Sequence, residues 1–385
     1  MADITGPRGT GNISQSLRQI EMRRAVYELE PSSAPLTILT ERLGSEATAN
    51  PEFSWQEDDL EPRFDTVNFA SGYTGTDTSI VVAHGSYFAQ HDLVKVTATG
   101  EVMRVVSVAT NTLTVVRGVG GNAGAIANLG ELIIIGSAQP EGDTSKPARS
   151  SNPTKVSNYT QILRKPFEST ETLRHSNTFT APSDWDRQAK HAGIEHDKDI
   201  ESAYLWGKPS EDLSGSQPRR TTGGAYYFVR TNITSAGGQL TEQEFFGAFS
   251  AAFRYGNTQT KTAFMSRLAT DVLNGFPRGK LELVQSDNDS TYGINVMRYV
   301  SPHGVLNCIT HNMLEGSKYG GDILILDLSN VMKRPLANSE GSRDTHIREN
   351  IQPPDADTRK DEYLTEAGLE FGLELTHALI TGITS

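Results

Sequence analysis

Between residues 72 and 139 the chain repeats one pattern, a short β-branched run followed by a turn. The runs are Ile80-Val81-Val82, Leu93-Val94-Lys95-Val96-Thr97, Val102-Met103-Arg104-Val105-Val106, Leu113-Thr114-Val115-Val116 and Leu132-Ile133-Ile134-Ile135. His84-Gly85, Thr99-Gly100, Thr110-Asn111 and the glycine-rich stretch from Gly118 to Gly124 separate them. Such runs, with turns every ~8–12 residues, predict a small antiparallel barrel or sandwich. A sheet of that many strands can close and hide its edges. The segment reads as a self-contained insert.

The pattern changes on either side. Phe53 to Asp65 predicts an extended strand with an acidic edge, and Tyr159 to Thr170 predicts strands again. Residues 183–206 carry the clearest helical pattern. Ser183 follows Pro182 and precedes Asp186 by three, the spacing at which both side chains satisfy free amides at a helix start. Asp184 and Asp186 suit the positive end of the helix dipole, and Gly207 is predicted to stop a rod of roughly 35 Å. Further on, Thr241-Glu242-Gln243-Glu244 predicts a capping box. Phe245, Phe249 and Phe253 follow on one helical face. A second short helix is predicted from Arg267 to Leu273. Ile294 to Val300 and Val305 to Ile309 predict two strands around the Pro302-His303-Gly304 turn. Asp322 to Asp327 predicts a buried strand. Near the end, Leu369, Phe371, Leu373 and Leu375 alternate with polar or small residues, which predicts a strand with one wet face.

At the start, Leu17 to Leu29 predicts a short helix ended by Pro31, which lacks an amide donor. Leu36-Thr37-Ile38-Leu39 is a short apolar piece between Pro35 and Pro51. It buries little against itself and is expected to pack on something else.

Charge sharpens this division. The chain has 385 residues, 35 basic against 47 acidic, for a formal net charge of −12. Such an acidic surface does not coat nucleic acid by neutralising phosphates. The segment 72–139 holds only seven charged residues, whereas 340–374 holds ten acidic and four basic ones. The single cysteine, Cys308, excludes a disulfide framework or a cysteine-based zinc site within one chain. No apolar run approaches the ~18–20 residues that span a bilayer. Residues Met1 to Pro7 have neither the basic nor the apolar region of a secretory signal.

Candidate chemistry is sparse. His191, Glu195 and His196 share the long helix, but a zinc helix needs two histidines four apart, and these are not. Asp287-Asn288-Asp289-Ser290 opens like a calcium loop, yet Tyr292 stands where glycine is needed and no glutamate closes it. The stretch from Gly118 to Gly124 lacks the Lys-Ser/Thr pair of a phosphate loop. No G-x-S-x-G elbow is present, and Cys308 lies inside a strand pattern. No catalytic, cofactor or metal residues are assigned, and the chain is expected not to be an enzyme.

The order of parts resembles that of the major capsid protein of tailed bacteriophages, whose fold is shared with the floor of herpesvirus capsids. It is most similar to the subfamily with a β-barrel inserted near the extended loop. Phe53-Ser54-Trp55-Gln56-Glu57-Asp58-Asp59-Leu60 resembles the first extended-loop strand of that group. Thr97 to Val105, with Val115-Val116-Arg117-Gly118, is similar to its barrel, and Asn158 to Phe167 to its returning strand. His191 to Glu201, continuing to Gly207-Lys208, resembles its spine helix, although Gly193 departs from good helix formers.

The resemblance implies an α+β chain with an N-terminal arm (1–52), an extended loop (53–71 and 141–180) and an inserted β-barrel (72–140). A peripheral domain with the spine helix (181–221 and 341–385) and an axial domain (222–340) complete it. It implies self-assembly into hexamers and pentamers of an icosahedral shell around double-stranded DNA, which is enclosed without specific binding. Scaffolding, portal and decoration proteins are the separate partners such a shell takes. No membrane and no cofactor are implied, and the protein is expected in the virion after synthesis in the host bacterial cytoplasm. Trp55, Glu57, Asp58, Arg63, Arg164 and Lys165 are the expected intersubunit contacts of the extended loop, since opposite charges on reaching strands set register and partner choice. Two readings compete. One is a carbohydrate-binding surface protein using the barrel, which offers only Tyr73, Tyr87 and Phe88 as aromatics. The other is a hydrolase with a metal held by distant carboxylates.

Overall fold

The computed structural model describes residues 34–142, 149–176, 184–256, 258–276, 281–282 and 296–384. The described chain divides into two compact units, one from Gln56 to Lys155 and one made of the remainder.

In the Gln56–Lys155 unit, β-branched side chains at every second position build a six-stranded antiparallel sheet. Its spatial order is Phe64–Thr66, Glu131–Ser137, Asp92–Val96, Val102–Ala109, Thr112–Val116 and Ser79–Val81. A bridge between Val67 and Val82 joins the two outermost strands. Around it, the Asn68 amide donates to the Val81 carbonyl at 2.9 Å and the Ala83 amide to the Thr66 carbonyl at 3.0 Å. The sheet thus closes on a core of Ile80, Val94, Val96, Met103, Val105, Leu113 and Leu132. The expected five strands are joined by a sixth. Phe64–Thr66, read from sequence as part of an extended strand, pairs with Glu131–Ile133. The unit therefore begins ahead of the low-charge segment, because Phe64–Thr66 fills the edge that the other strands leave unpaired.

In the second unit, a seven-stranded mixed sheet is buried on both faces. Its order is Ile233–Gly238, Ala378–Ile383, Ile323–Leu326, Thr260–Met265, Gly304–Thr310, Val296–Ser301 and Leu281–Glu282. One face (Ala263, Met265, Ile323, Ile325) packs against Phe245, Phe249 and Leu273 of the helices Glu242–Ala252 and Arg267–Asn274. The other face (Phe264, Leu324, Leu326) packs against Ile200, Tyr204 and Leu205 of the long helix Asp184–Trp206. Burial on both faces explains the unbroken run Ile323-Leu324-Ile325-Leu326. The expected capping box is present: the Thr241 hydroxyl accepts from the Glu244 amide, and the Glu244 carboxylate accepts from the Thr241 amide at 2.9 Å.

The long helix ends at Gly207, where a Cβ would lie 2.3 Å from the Thr222 carbonyl oxygen. Its expected cap Ser183 and the predicted helix from Leu17 to Leu29 lie outside the described residues, as does Ile294. Gly193 marks close packing, since a Cβ there would stand 3.3 Å from the Tyr363 ring.

One expectation about the C-terminal segment is corrected. The segment is shared between two sheets, since Ala378–Ile383 is a strand of the seven-stranded sheet. It runs parallel to Ile233–Gly238 and antiparallel to Ile323–Leu326. The expected strand over Leu369–Leu375 instead ends at Phe371, after beginning at Thr358. Leu373 adopts a left-handed backbone (φ 55°), and the Glu374 carboxylate then accepts the amides of Arg230 and Thr231 at 2.7 and 2.6 Å. Nor does Thr358–Phe371 have a wet face. It is the centre of a sheet, pairing with Gln161–Thr170 on one edge and with Val331–Pro335 and His346–Arg348 on the other. Its acids are matched rather than solvated: Glu362 by Arg348, Glu366 by Arg343 and Glu370 by Arg334.

The piece Leu36–Leu39, read as short and apolar, belongs to a helix, Pro35–Leu43. It packs on the long helix and on Val331–Pro335 of the same chain. Leu36 is fully buried there.

Candidate functional site

The six side chains expected at a subunit contact fall into two groups. Trp55 is half-buried, its ring 5.6 Å from that of Phe228 and 6.2 Å from that of Phe53. Lys165 reaches the long helix, with Nζ 3.1 Å from Glu195 and 3.3 Å from Asp199. The hydrogen bond that Lys165 donates to Glu195, helped by Asp199, raises the lysine's pKa above its ordinary value. These two side chains hold strand to helix within one chain. By contrast, Asp58, Arg63 and Arg164 are exposed and Glu57 is half-buried. Asp58 accepts a hydrogen bond from Ser151 at 2.9 Å. Alternation places Arg164 beside Ile162, Pro166 and Glu168 on the outward face of its strand, opposite Leu163, Lys165 and Phe167. Proline there also blunts the edge against indiscriminate pairing. Next to the acidic run, Leu60 is 95% exposed.

The segment that enters from the N-terminal side is held by charges that sequence reading missed. Glu201, fully buried, accepts the Leu36 amide at 2.9 Å, the Thr37 amide at 2.7 Å and the Thr37 hydroxyl at 2.6 Å. His311 Nε2 meets the same carboxylate at 2.6 Å. The carboxylate thus caps the first turn of Pro35–Leu43, where helix amides lack partners. At the other end of this helix, Lys333 Nζ bonds Glu41 at 2.9 Å and Asp344 at 2.7 Å. Burial alone would lower the Lys333 pKa, but those two carboxylates outweigh it and raise it. Bridges from Ser45 to Lys333 and from Thr48 to Leu336 continue the attachment. Glu201 lies 164 residues from Thr37 and 110 from His311, so no local spacing could have marked it.

The tempting motifs have structural uses. His191 is exposed, Glu195 binds Lys165, and His196 is buried with Nε2 2.7 Å from the Thr365 hydroxyl. The glycine-rich stretch wraps a carboxylate: the amides of Gly118 and Gly124 donate to Glu101 at 3.1 and 2.9 Å. Arg117 clamps Glu101 with two bonds of 2.7 Å. Burial pushes the Glu101 carboxyl up, but Arg117 and the two amides hold it below the ordinary glutamate value. Cys308 is buried, its thiol pushed up to about 12 by burial. Among the described residues no group of three or more His, Cys, Asp or Glu could hold a metal ion. Asp287-Asn288-Asp289-Ser290 lies outside them. The barrel aromatics do not form one platform: Phe88 is in the core, Tyr87 stacks on His84, and the Tyr73 hydroxyl accepts from the Val81 amide at 2.8 Å.

Comparison with known proteins gives a consistent answer. A family model described as SU10 major capsid protein matches residues 7–384. A curated major capsid protein of Pseudomonas phage PaMx41 is 28% identical over 208 residues, 51% of this chain and 50% of that relative. The chain therefore spans about half the length of that relative. Among solved structures, the capsid of a native GTA particle aligns over 98% of both chains with TM-score 0.50 at 9% identity. A structure of Mycobacterium phage Bobi aligns over 96% of this chain and 97% of its own, also with TM-score 0.50 at 9% identity. At such identities the likeness shows a shared fold.

Proposed function

The chain belongs to the SU10 major capsid protein family, and from that premise we propose that it is the shell-forming subunit of a phage head. The observation that carries this reading is the family match over residues 7–384, which bears out the resemblance to phage major capsid proteins read from the sequence. Copies assemble into hexamers and pentamers of an icosahedral shell that encloses double-stranded DNA without specific binding. Scaffolding, portal and decoration proteins are its separate partners. The subunit does no chemical turnover, is made in the host bacterial cytoplasm and ends in the virion.

In this reading residues 53–71 and 141–180 are the extended loop, 222–340 with the last strand the axial domain, and the long helix the spine of the peripheral domain. Glu57, Asp58, Arg63 and Arg164 meet neighbouring copies, as do Trp55 and Lys165, which are also engaged within their own chain. The uneven charge supports this: acids on a reaching segment choose a partner by attraction and repulsion more than by affinity. Closed symmetry then fixes the number of copies.

The test is to purify the full chain and image it by negative-stain electron microscopy. Rings, shells or tubes are expected. A monomer under all conditions of salt and concentration overturns the proposal. A second measurement addresses the loop: Glu57→Lys with Asp58→Lys is expected to abolish regular assembly, and unchanged particles remove the loop contact.

A further inference from the structure

The outer wall of the closed sheet in the Gln56–Lys155 unit carries an unusual set of side chains. Inward positions alternate with outward ones, and directly opposed residues of antiparallel strands share a face. Val94, Val96, Met103 and Val105 point into the core. Their neighbours point out and form two cross-strand rows. Phe64 stands opposite Ile133, Ile133 opposite Lys95, and Lys95 opposite Val102. In the next row Leu93 stands opposite Arg104, and Arg104 opposite Val116. Phe64 is 50% exposed and Val116 43%. Ile135, 49% exposed, extends the wall beside Leu93. The two rows hold two cations and no carboxylate, in a chain whose net charge is −12. Neither Lys95 nor Arg104 has an ion pair among the described residues. The next acid on this face, Glu131, stands one row away opposite Thr66.

A wall both apolar and basic is solvated poorly at one set of positions and left uncompensated at the other. The same chain presents the complementary chemistry. Glu57-Asp58-Asp59-Leu60-Glu61 carries four acids around a leucine that is 95% exposed. An exposed leucine framed by acids fits an apolar strip framed by Lys95 and Arg104.

We propose that the barrel wall of one copy is the receptor for the acidic Leu60 segment of a second copy, with Leu60 laid between Phe64, Ile133 and Leu93, and the acids of the segment meeting Lys95 and Arg104. The proposal rests on the shell-forming reading above and names the surface that the reaching loop meets. Because donor and receptor are different patches, the contact is head-to-tail and propagates around a ring.

The single buried Cys308 makes site-specific crosslinking the direct test. Full-length chains carrying Leu60→Cys or Ile135→Cys, one of them tagged to differ in mass, are co-assembled and oxidised mildly. A disulfide-linked dimer containing one chain of each kind is expected in the mixture and in neither chain alone. Particles that form in the mixture without this linked dimer overturn the proposal while leaving the shell reading intact. If the unsubstituted chain forms no particles, both fall. A charge swap gives an independent check. Lys95→Glu with Arg104→Glu is expected to lower particle yield at least about tenfold, and adding Asp58→Lys with Asp59→Lys to the same chain is expected to restore it. Circular dichroism confirms that the swapped chains fold. Equal yields with and without the swap, in folded protein, overturn the proposal.

Discussion

Glu201 and His311 meet 2.6 Å apart with neither side chain exposed to solvent. The same carboxylate binds the amides of Leu36 and Thr37. A charge buried in this way is stable only while every lone pair is occupied. Replacing Glu201 by alanine leaves two amides, a hydroxyl and an imidazole without their acceptor. A loss of about 3–5 kcal/mol is expected in urea unfolding. Trypsin should also cut sooner at Arg42. A loss below about 1 kcal/mol would show that water replaces the carboxylate.

Arg117 plays the matching part in the closed sheet. Besides clamping Glu101, its guanidinium donates to the carbonyls of Thr74 and Asp77 at 2.9 and 3.1 Å. Arg117→Ala should cost roughly 3–5 kcal/mol, confined to the Gln56–Lys155 unit. Hydrogen exchange should quicken at Val94, Met103 and Leu113 and stay unchanged at Leu324 and Phe264. Faster exchange in both sets would contradict a self-contained unit. Because the folded Glu101 carboxyl sits below its ordinary value, its contribution is present above the unfolded pKa and lost as pH falls through the folded one.

His377 gives the opposite kind of titrating group. Its Nδ1 accepts the Asp327 amide at 3.1 Å, and burial pulls its pKa from 6.5 to about 4. The folded chain holds it neutral while the unfolded chain protonates it near 6.5. Its contribution is therefore full above that value and lost as pH falls toward about 4. The total is on the order of 3 kcal/mol. His377→Gln should flatten the stability profile between these limits. An unchanged slope would assign the acid sensitivity to other groups.

Gly193 and Tyr363 are coupled by space. Alanine in a helix interior is favoured over glycine by about 1 kcal/mol, but a Cβ at 193 stands 3.3 Å from the tyrosine ring. Gly193→Ala should therefore gain nothing in the natural chain and recover most of that propensity beside Tyr363→Leu. A double-mutant cycle measures the difference. Additive effects would mean the ring moves aside freely.

Local patterns were legible because they depend on neighbours in sequence. The Thr241–Glu244 box needs only a spacing of three, and the Val-rich runs need only alternation. The long helix was readable to its end at Gly207. The acidic closing segment misled, because alternation of Leu369, Phe371, Leu373 and Leu375 implies one wet face only where no neighbouring side chains cover the other. Arg334, Arg343 and Arg348 cover Glu370, Glu366 and Glu362 only once Thr358–Phe371 becomes the middle of a sheet. Among the expected contact residues, the sequence marked Trp55 and Lys165 as notable but could not say that Phe228, Glu195 and Asp199 already engage them.

By itself, the amino-acid sequence determined the periodic elements, the low-charge segment and the likeness to phage capsid subunits. All of these follow from short-range spacing or from the order of parts. The tertiary structure alone decided which distant partners complete each element. It placed Ala378–Ile383 between two strands of the large sheet, Phe64–Thr66 at the closing edge of the small one, and Glu201 under the first turn of Pro35–Leu43. The physical reason is shared. An unpaired strand edge or a buried charge states what it lacks, and only the folded chain, by bringing residues that are not neighbours in sequence into contact, supplies it.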